Sequence, residues 1–351
     1  MSQERRSSVS VRLLTPGDER KWDQYVSDVR DSSAYHAAGW KRVIEKSFGH
    51  KTYYLLSEDE GGNVRGILPL VHMKSLMFGN FMVSMPYFNY GGICTQHIES
   101  YHALLEEAIR IAKRERAEHI EFREERIIEN GLPFKTSKVS MRLELPSSAD
   151  DLWKSFPSKL RSQIRRPERD GLYVDVGRED RLDAFTYVFA MNMRDLGTPV
   201  YAKDFFRNIL EMFPQSTWIC TVYKEKEPIA SGVLLGFKDC LEIPWASSIR
   251  KYNSLSPNML LYWSVLQYAC QHGYRVFDFG RSTPGEGTYK FKGQWGAKPA
   301  PLYWYYWMRR RDSLPELNPK NQKYRTAIEI WKRLPVPLTK ILGPYISKNL
   351  P

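Results

Sequence analysis

The residues best suited to chemistry fall in one stretch. Phe277-Asp278-Phe279-Gly280-Arg281-Ser282 reads as a strand ending in Gly-Arg, and Gly285-Glu286-Gly287-Thr288-Tyr289-Lys290-Phe291-Lys292-Gly293-Gln294-Trp295-Gly296 follows as a glycine-rich bend and a short cationic-aromatic segment. Backbone N–H groups together with Arg281, Lys290 and Lys292 at one strand end suit an anion or a developing oxyanion. A plain β-to-helix connection with solvated lysines accounts for the same composition. An amine acceptor needs a proton acceptor, and the order of residues offers no Ser/His/Asp or Cys/His arrangement. The nearest acids are Asp278, Glu242 and Asp195. Asp278 can orient an amine or take its proton, or else pair with Arg281 or Arg194. Asp195 can pair with a neighbouring Arg.

These residues need a scaffold, and the apolar patterning supplies one twice. Residues 52–56 and 64–73 flank the turn Gly61-Gly62-Asn63 as a hairpin. After 81–85 and a loop over 86–92, the spacing predicts a helix over 98–116 with Leu104, Leu105, Ala108, Ile109 and Ala112 on one face, then strands at 119–123 and 138–145. The order recurs: strands at 218–223, 229–237 and 240–247, a polar loop over 248–257, a helix over 258–272 stopped by Gly273, and strands at 276–280 and 302–308. The pattern predicts two copies of one α+β unit. We divide the chain into a first domain (1–150), a basic connecting helix (151–180), a second domain (181–310) and a basic tail (311–351). The connecting stretch carries Lys159, Arg161, Arg165, Arg166 and Arg169, and further helices are expected over 182–196 and 203–213. Arg161 and Arg165 share a face at i, i+4, either solvated or gripping a phosphorylated donor.

Composition narrows the class. The 351 residues include 52 Lys+Arg and 40 Asp+Glu, a net charge of +12, which favours a polyanionic partner such as nucleic acid, a phosphorylated substrate or an anionic membrane. With 42% hydrophobic residues, each half can bury a core, so disorder is excluded for most of the chain. No run approaches the length of a spanning helix and the opening residues, including Arg5, Arg6 and Arg12, form no apolar leader, so a cytoplasmic protein is expected. Cys94, Cys220, Cys240 and Cys270 are far apart without a CxxC pair and are expected to be reduced, with no metal. In the tail, from Arg309 onward, Trp331, Leu334, Leu338, Ile341, Leu342 and Tyr345 interleave with cations, and Pro335, Pro337 and Pro344 exclude one long helix. It can lie on an anionic inner-leaflet surface or pack as a strap on the second domain.

The stretch from Phe277 to Tyr306 resembles the FemAB family of tandem GNAT-fold acyl- and aminoacyltransferases (BioF2-like), in particular the FemAB-related proteins of PEP-CTERM/exosortase exopolysaccharide systems, with their FDFGRS strand and GTYxFKxxWG segment. Met193-Arg194-Asp195-Leu196-Gly197-Thr198-Pro199-Val200-Tyr201 is similar to the family's RDLGTPVY segment, Leu160 to Arg166 to its LRxxIRR helix, and 35–48 to its Q-x-x-x-W helix, with Trp40 packing there. The likeness spans about 32–308. It implies tandem duplicated GNAT-like domains and amide-bond formation on an amine of a cell-envelope or exopolysaccharide precursor. It also implies that Lys292 stabilises charge in the transfer transition state, that Tyr289 and Phe291 shape a donor channel, that Glu242 occupies a bent-strand position used for a base, and that Tyr87 and Asn89 line the acceptor side. Trp295-Gly296 stands where the bridge-forming branch has FG.

The donor is open between aminoacyl-tRNA and acyl-CoA as co-substrate. A CoA-using GNAT domain carries a glycine-rich loop whose N–H groups hold the pyrophosphate, and the corresponding 248–258 has no glycine. Arg250 and Lys251 can still meet phosphates, and Ser256 or Asn258 can cap the following helix. Two alternatives to the transferase stand beside it: a non-catalytic tRNA- or membrane-binding protein of this fold, and a CoA-dependent N-acetyltransferase.

Overall fold

A computed structural model of the chain describes residues 9–310, 314–315 and 322–351. The opening residues 1–8, with Arg5 and Arg6, and the tail residues 311–313 and 316–321 lie outside the described residues. In chain order the first run of elements is β1 (Ser10–Leu13), α1 (Glu19–Asp28), α2 (Gly39–Phe48), β2 (Lys51–Glu58), β3 (Val64–Ser75), β4 (Gly79–Val83), β5 (Cys94–Thr95), α3 (Ile98–Arg114), β6 (His119–Glu124) and β7 (Phe134–Lys135). The second run is β8 (Val139–Glu144), α4 (Ala149–Ser155), α5 (Ser158–Arg169), β9 (Leu172–Gly177), α6 (Leu182–Leu196), α7 (Lys203–Met212), β10 (Thr217–Lys224), β11 (Glu227–Phe237), β12 (Cys240–Ser248), α8 (Pro257–Gln271), β13 (Val276–Ser282), α9 (Gly287–Gly293) and β14 (Lys298–Pro301). Then come β15 (Tyr303–Met308), α10 (Gln322–Arg333) and α11 (Val336–Ser347).

The chain divides into two compact units, one of residues 1–137, 301–315 and 349–351, the other of 138–300 and 316–348. In the first unit the sheet order is β1-β2-β3-β4-β6-β15-β7, with β5 on β3. Strands β4 and β6 run parallel, with Met82 opposite Ile120 and Val83 opposite Glu121. Strand β3 reads as a near-continuous apolar run because it is buried along most of its length, and α3 turns Leu104, Leu105, Ala108, Ile111 and Ala112 onto the sheet.

In the second unit the order is β14-β8-β13-β12-β11-β10-β9. Strands β12 and β13 are the parallel pair here. Helix α8 is apolar nearly all round, with ten buried residues, because it packs between the sheet and α5. The core joins Leu160 and Ile164 of α5, Leu261, Val265 and Leu266 of α8, and Phe277, Phe279 and Trp295.

The two sheets repeat one plan: antiparallel strands, a parallel pair joined through a helix, then an antiparallel closing strand. The closing strand comes from an unexpected place in the chain. Strand β8, assigned from sequence to the first domain, pairs with β13 of the second sheet, and β15, assigned to the second domain, pairs with β6 of the first. The change therefore falls at Ser137 and Lys138 rather than at residue 150, and 301–315 returns to the first unit. Alternation within a strand shows that it is a strand but not which neighbour it will meet.

Other segments differ in detail. The basic connecting helix is two helices, α4 and α5, separated by Phe156-Pro157 because the residue before proline is held extended. Strand β9 completes that segment. The tail is two helices that pack on α6 as part of the second unit, the strap arrangement, broken at Pro335. Among the described residues no helix is long and apolar enough to cross a membrane.

Candidate active site

The parallel strands β12 and β13 hold register at Cys240/Val276, Leu241/Phe277 and Glu242/Asp278, and the pairing stops there. Beyond that point β12 runs on through Ile243 to Ser248, β13 through Phe279 to Ser282. Two carboxylates therefore sit at the fork of the strands, both buried, Asp278 fully so.

Asp278 is an anchor. Its Oδ1 accepts from Ser140 Oγ at 2.5 Å and from the Gly280 N–H at 2.7 Å, and its Oδ2 accepts from Arg142 Nε at 2.9 Å. Ser140 and Arg142 both come from β8, and Arg142 is the residue directly opposite Asp278. The ion pair of Asp278 is thus with Arg142, where residue order points to Arg281 or Arg194. Arg194 instead pairs with Asp195 at 2.7 Å and donates to the Leu334 carbonyl, as the expected neighbour pairing of Asp195 requires. A carboxylate whose two oxygens accept from three donors, one a guanidinium, is fixed in place on the strand.

Gly280 makes the next step possible. It adopts φ of +75°, where the register with β8 shifts between Asp278 and Arg281, a bulge that an L side chain would strain. At this kink the carbonyls of Gly280 and Arg281 both accept from Lys292 Nζ, each at 2.9 Å. Lys292 reaches them from α9, which places Tyr289, Lys290 and Phe291 beside it. Phe291 packs edge-on to Tyr262, and Tyr262 stacks on Phe279. Trp295 closes this wall against Phe156. Burial in these surroundings pushes the Lys292 ammonium down to about 8, opposed by the negative charges of Asp278 and Glu242 and assisted by Arg281. Two of the three ammonium protons are committed to the carbonyls, which leaves one to donate elsewhere.

Two further features frame this centre. The Ser282 hydroxyl, one residue past the carbonyl that holds Lys292, is buried and makes no hydrogen bond among the described residues. Beginning at Gly293, a cleft of about 620 Å³ is lined by Leu143, Leu145, Leu152, Phe156 and Trp295, with Glu144 and Asp151 among its lining. That volume is in the range of small-molecule sites.

The remaining sequence-derived candidates are dispersed. Arg281 and Lys290 are exposed at the end of β13 and on α9. Arg250 opens a 3₁₀ turn, Arg250–Leu255, rather than a loop, and the Tyr252 and Ser256 N–H groups are spent on Ile249 and Asn253 carbonyls. Lys251 and the Tyr252 hydroxyl both bind Glu227. Ser256 occupies the N-cap of α8 without a side-chain bond, while Asn258 donates to Ser248, so neither caps the helix as expected. On α5, Arg165 lies over Trp153 at 5.0 Å and Arg166 sits 3.5 Å from Asp170; Arg161 is half-buried. Tyr87 and Asn89 belong to the first unit. The Tyr87 hydroxyl shares a 2.8 Å hydrogen bond with His50 Nε2, and the Asn89 carbonyl accepts from Trp304 Nε1.

The first unit has the same fork but different chemistry. Its last parallel pair is Val83 and Glu121, and Glu121 is held by Arg123 Nε and by the Tyr306 hydroxyl, both at 2.7 Å. A paired carboxylate fork is thus found in the second unit.

Residues 154–293 match the acetyltransferase (GNAT) domain family. A search of curated protein sequences finds no match. Among solved structures, FemX superposes with a TM-score of 0.64 at 15% identity over 84% of this chain and 97% of its own. The C-terminal domain of a putative lysylphosphatidylglycerol synthetase from Agrobacterium fabrum gives 0.56 at 15% identity over 84% and 92%. A tandem GNAT protein from the clavulanic acid biosynthesis pathway gives 0.55 at 10% identity over 87% and 100%. At these identities the likeness is one of fold. The chain carries an acetyltransferase (GNAT) domain within a tandem GNAT fold, and the protein is an acyltransferase.

Proposed function

We propose that the second unit joins an activated acyl or aminoacyl group to an amine of a cell-envelope or exopolysaccharide precursor, in the manner of the FemAB-like and PEP-CTERM-associated proteins that its motifs resemble. The observation that carries this reading is the Lys292 ammonium, buried at the strand fork with one proton left to give. The amine nitrogen attacks the carbonyl carbon of an ester or thioester, and negative charge develops on the carbonyl oxygen. Lys292 donates to that oxygen. Glu242 takes the amine proton, the C–O or C–S bond breaks, and the proton passes to the departing alcohol or thiol. Asp278, held by Ser140 and Arg142, keeps the ammonium charged and the fork rigid rather than moving a proton. Glu144 and Asp151 suit a cationic amine waiting in the adjoining cleft, which releases one proton to solvent before its nitrogen attacks.

An aminoacyl donor fits this chain better than acyl-CoA. A pyrophosphate needs successive unspent N–H groups, and the turn before α8 has no glycine and has committed those of Tyr252 and Ser256. Arg161 and Arg165 are then the cations offered to a tRNA backbone. Thermal unfolding with acyl-CoA, charged tRNA and uncharged tRNA tests the reading, because a ligand of the native state raises the midpoint. A shift specific to charged tRNA is expected. A shift with acyl-CoA alone overturns the donor assignment, and transfer that survives Lys292→Met overturns the site.

A further inference from the structure

Helix α11 is attached to its unit by the wrong face. An amphipathic helix of a globular protein buries its apolar stripe and shows its polar one. Here Thr339, Gly343 and Ser347, spaced i, i+4 and i+8, are buried. Gly343 lies so close to Val200 that an added Cβ would meet its Cγ1 and backbone N at 2.8 Å, and Ser347 Oγ donates to the Val200 carbonyl at 3.1 Å. Leu338, Ile341, Leu342 and Tyr345, spaced i, i+3, i+4 and i+7, point outward instead. They are 39%, 63%, 40% and 69% exposed.

The charges that this stretch of chain itself carries have one sign, with Asp183 of α6 the acid near Lys340. Lys332, Arg333, Lys340 and Lys348 fall on or beside the helix, and no Asp or Glu occurs between Ile330 and Pro351. A second copy of the chain on this face would bring the same cations together. A surface that offers hydrocarbon and negative charge at once satisfies both halves of the patch. We infer that α11 is a docking helix for an anionic lipid bilayer, lying in the interface with Leu338, Ile341, Leu342 and Tyr345 turned into the acyl boundary. This rests on the envelope-precursor reading only in giving it a purpose: a lipid-linked acceptor would be met at the same surface.

The test is co-sedimentation of the full chain with vesicles of phosphatidylcholine alone and of phosphatidylcholine mixed with phosphatidylglycerol. Binding to the mixed vesicles that weakens as salt is raised is expected. The double variant Ile341→Glu with Tyr345→Glu, at two exposed positions, should lower the partition about tenfold or more while leaving the unfolding midpoint unchanged. Equal binding to neutral vesicles, or binding that survives the double variant, overturns the inference. So does a concentration-dependent dimer that the double variant dissolves, which would make the face a self-association surface. Lys292→Met should lower transfer about 100- to 1,000-fold and retain vesicle binding, so the failure of either reading is visible without the other.

Discussion

Glu242 and Asp278 face each other at the last paired position of β12 and β13, yet they are not equivalent. Asp278 receives Ser140, Arg142 and the Gly280 N–H and anchors the fork, and the proposed reaction gives the amine proton to Glu242. Glu242→Gln is therefore expected to fold normally and to lose about 100-fold or more in transfer rate, the usual scale of a lost general base. Asp278→Ala is expected to destabilise by about 3–5 kcal/mol, since it leaves Arg142 and Ser140 facing an emptied site. Denaturant unfolding together with initial rates separates the two. Equal loss of stability in both variants would refute the division of roles.

Lys292 sets the alkaline behaviour. In the proposed reaction its ammonium acts when charged, so transfer should fall as pH rises through about 8. Lys292→Met should cost about 100- to 1,000-fold in rate. Stability gives an independent readout: above pH 8 the unfolded chain keeps this proton longer than the native one, so the wild type gains stability between about 8 and 10.5. The Met variant should lack that rise. A rate that climbs through pH 9 in the wild type would mean that neutral Lys292 is the reactive form.

The kink at Gly280 presents the two carbonyls, its own and that of Arg281, that accept from Lys292. Because φ is +75°, Gly280→Ala should cost about 1–2 kcal/mol in backbone strain. It should also lower the transfer rate more than its stability loss explains, measured well below the unfolding midpoint. Wild-type turnover in a stably folded Ala variant would show that the kink is not needed for positioning.

The first unit holds a second titrating acid. Burial raises the Glu124 carboxyl to about 7 from an ordinary 4.5, although its Oε1 accepts from the Ile93 N–H at 2.8 Å. The native state thus holds a proton that the unfolded chain has released, and the wild type loses stability as pH rises from about 4.5 through 7. Glu124→Gln keeps the acceptor and removes the charge. It should be more stable at pH 8, by up to about 3 kcal/mol, and indistinguishable at pH 4. Urea unfolding at the two pH values checks this; a gain of equal size at both would assign the effect to packing.

Local elements were largely legible from residue order. The hairpin of β2 and β3, helix α6 over Leu182–Leu196, and helix α8 with Gly273 behind it follow from periodicity and stop signals, which act over a few residues. So did the strand carrying Asp278 and the cationic segment with Lys292. Short helices without a strong apolar stripe, such as α1 and α9, were less visible, because tertiary packing rather than propensity holds them.

Residue types and spacing by themselves determined that this chain has two similar α+β units, and they pointed to the stretch from Asp278 to Lys292 as the candidate site. They did not determine that Arg142 and Ser140 would hold Asp278, that β15 would close the first sheet, or that α11 would face outward. Each of those depends on which neighbour a strand or helix meets across long stretches of chain. Edge pairing and packing of whole units decide it, and no local pattern of side chains encodes it alone.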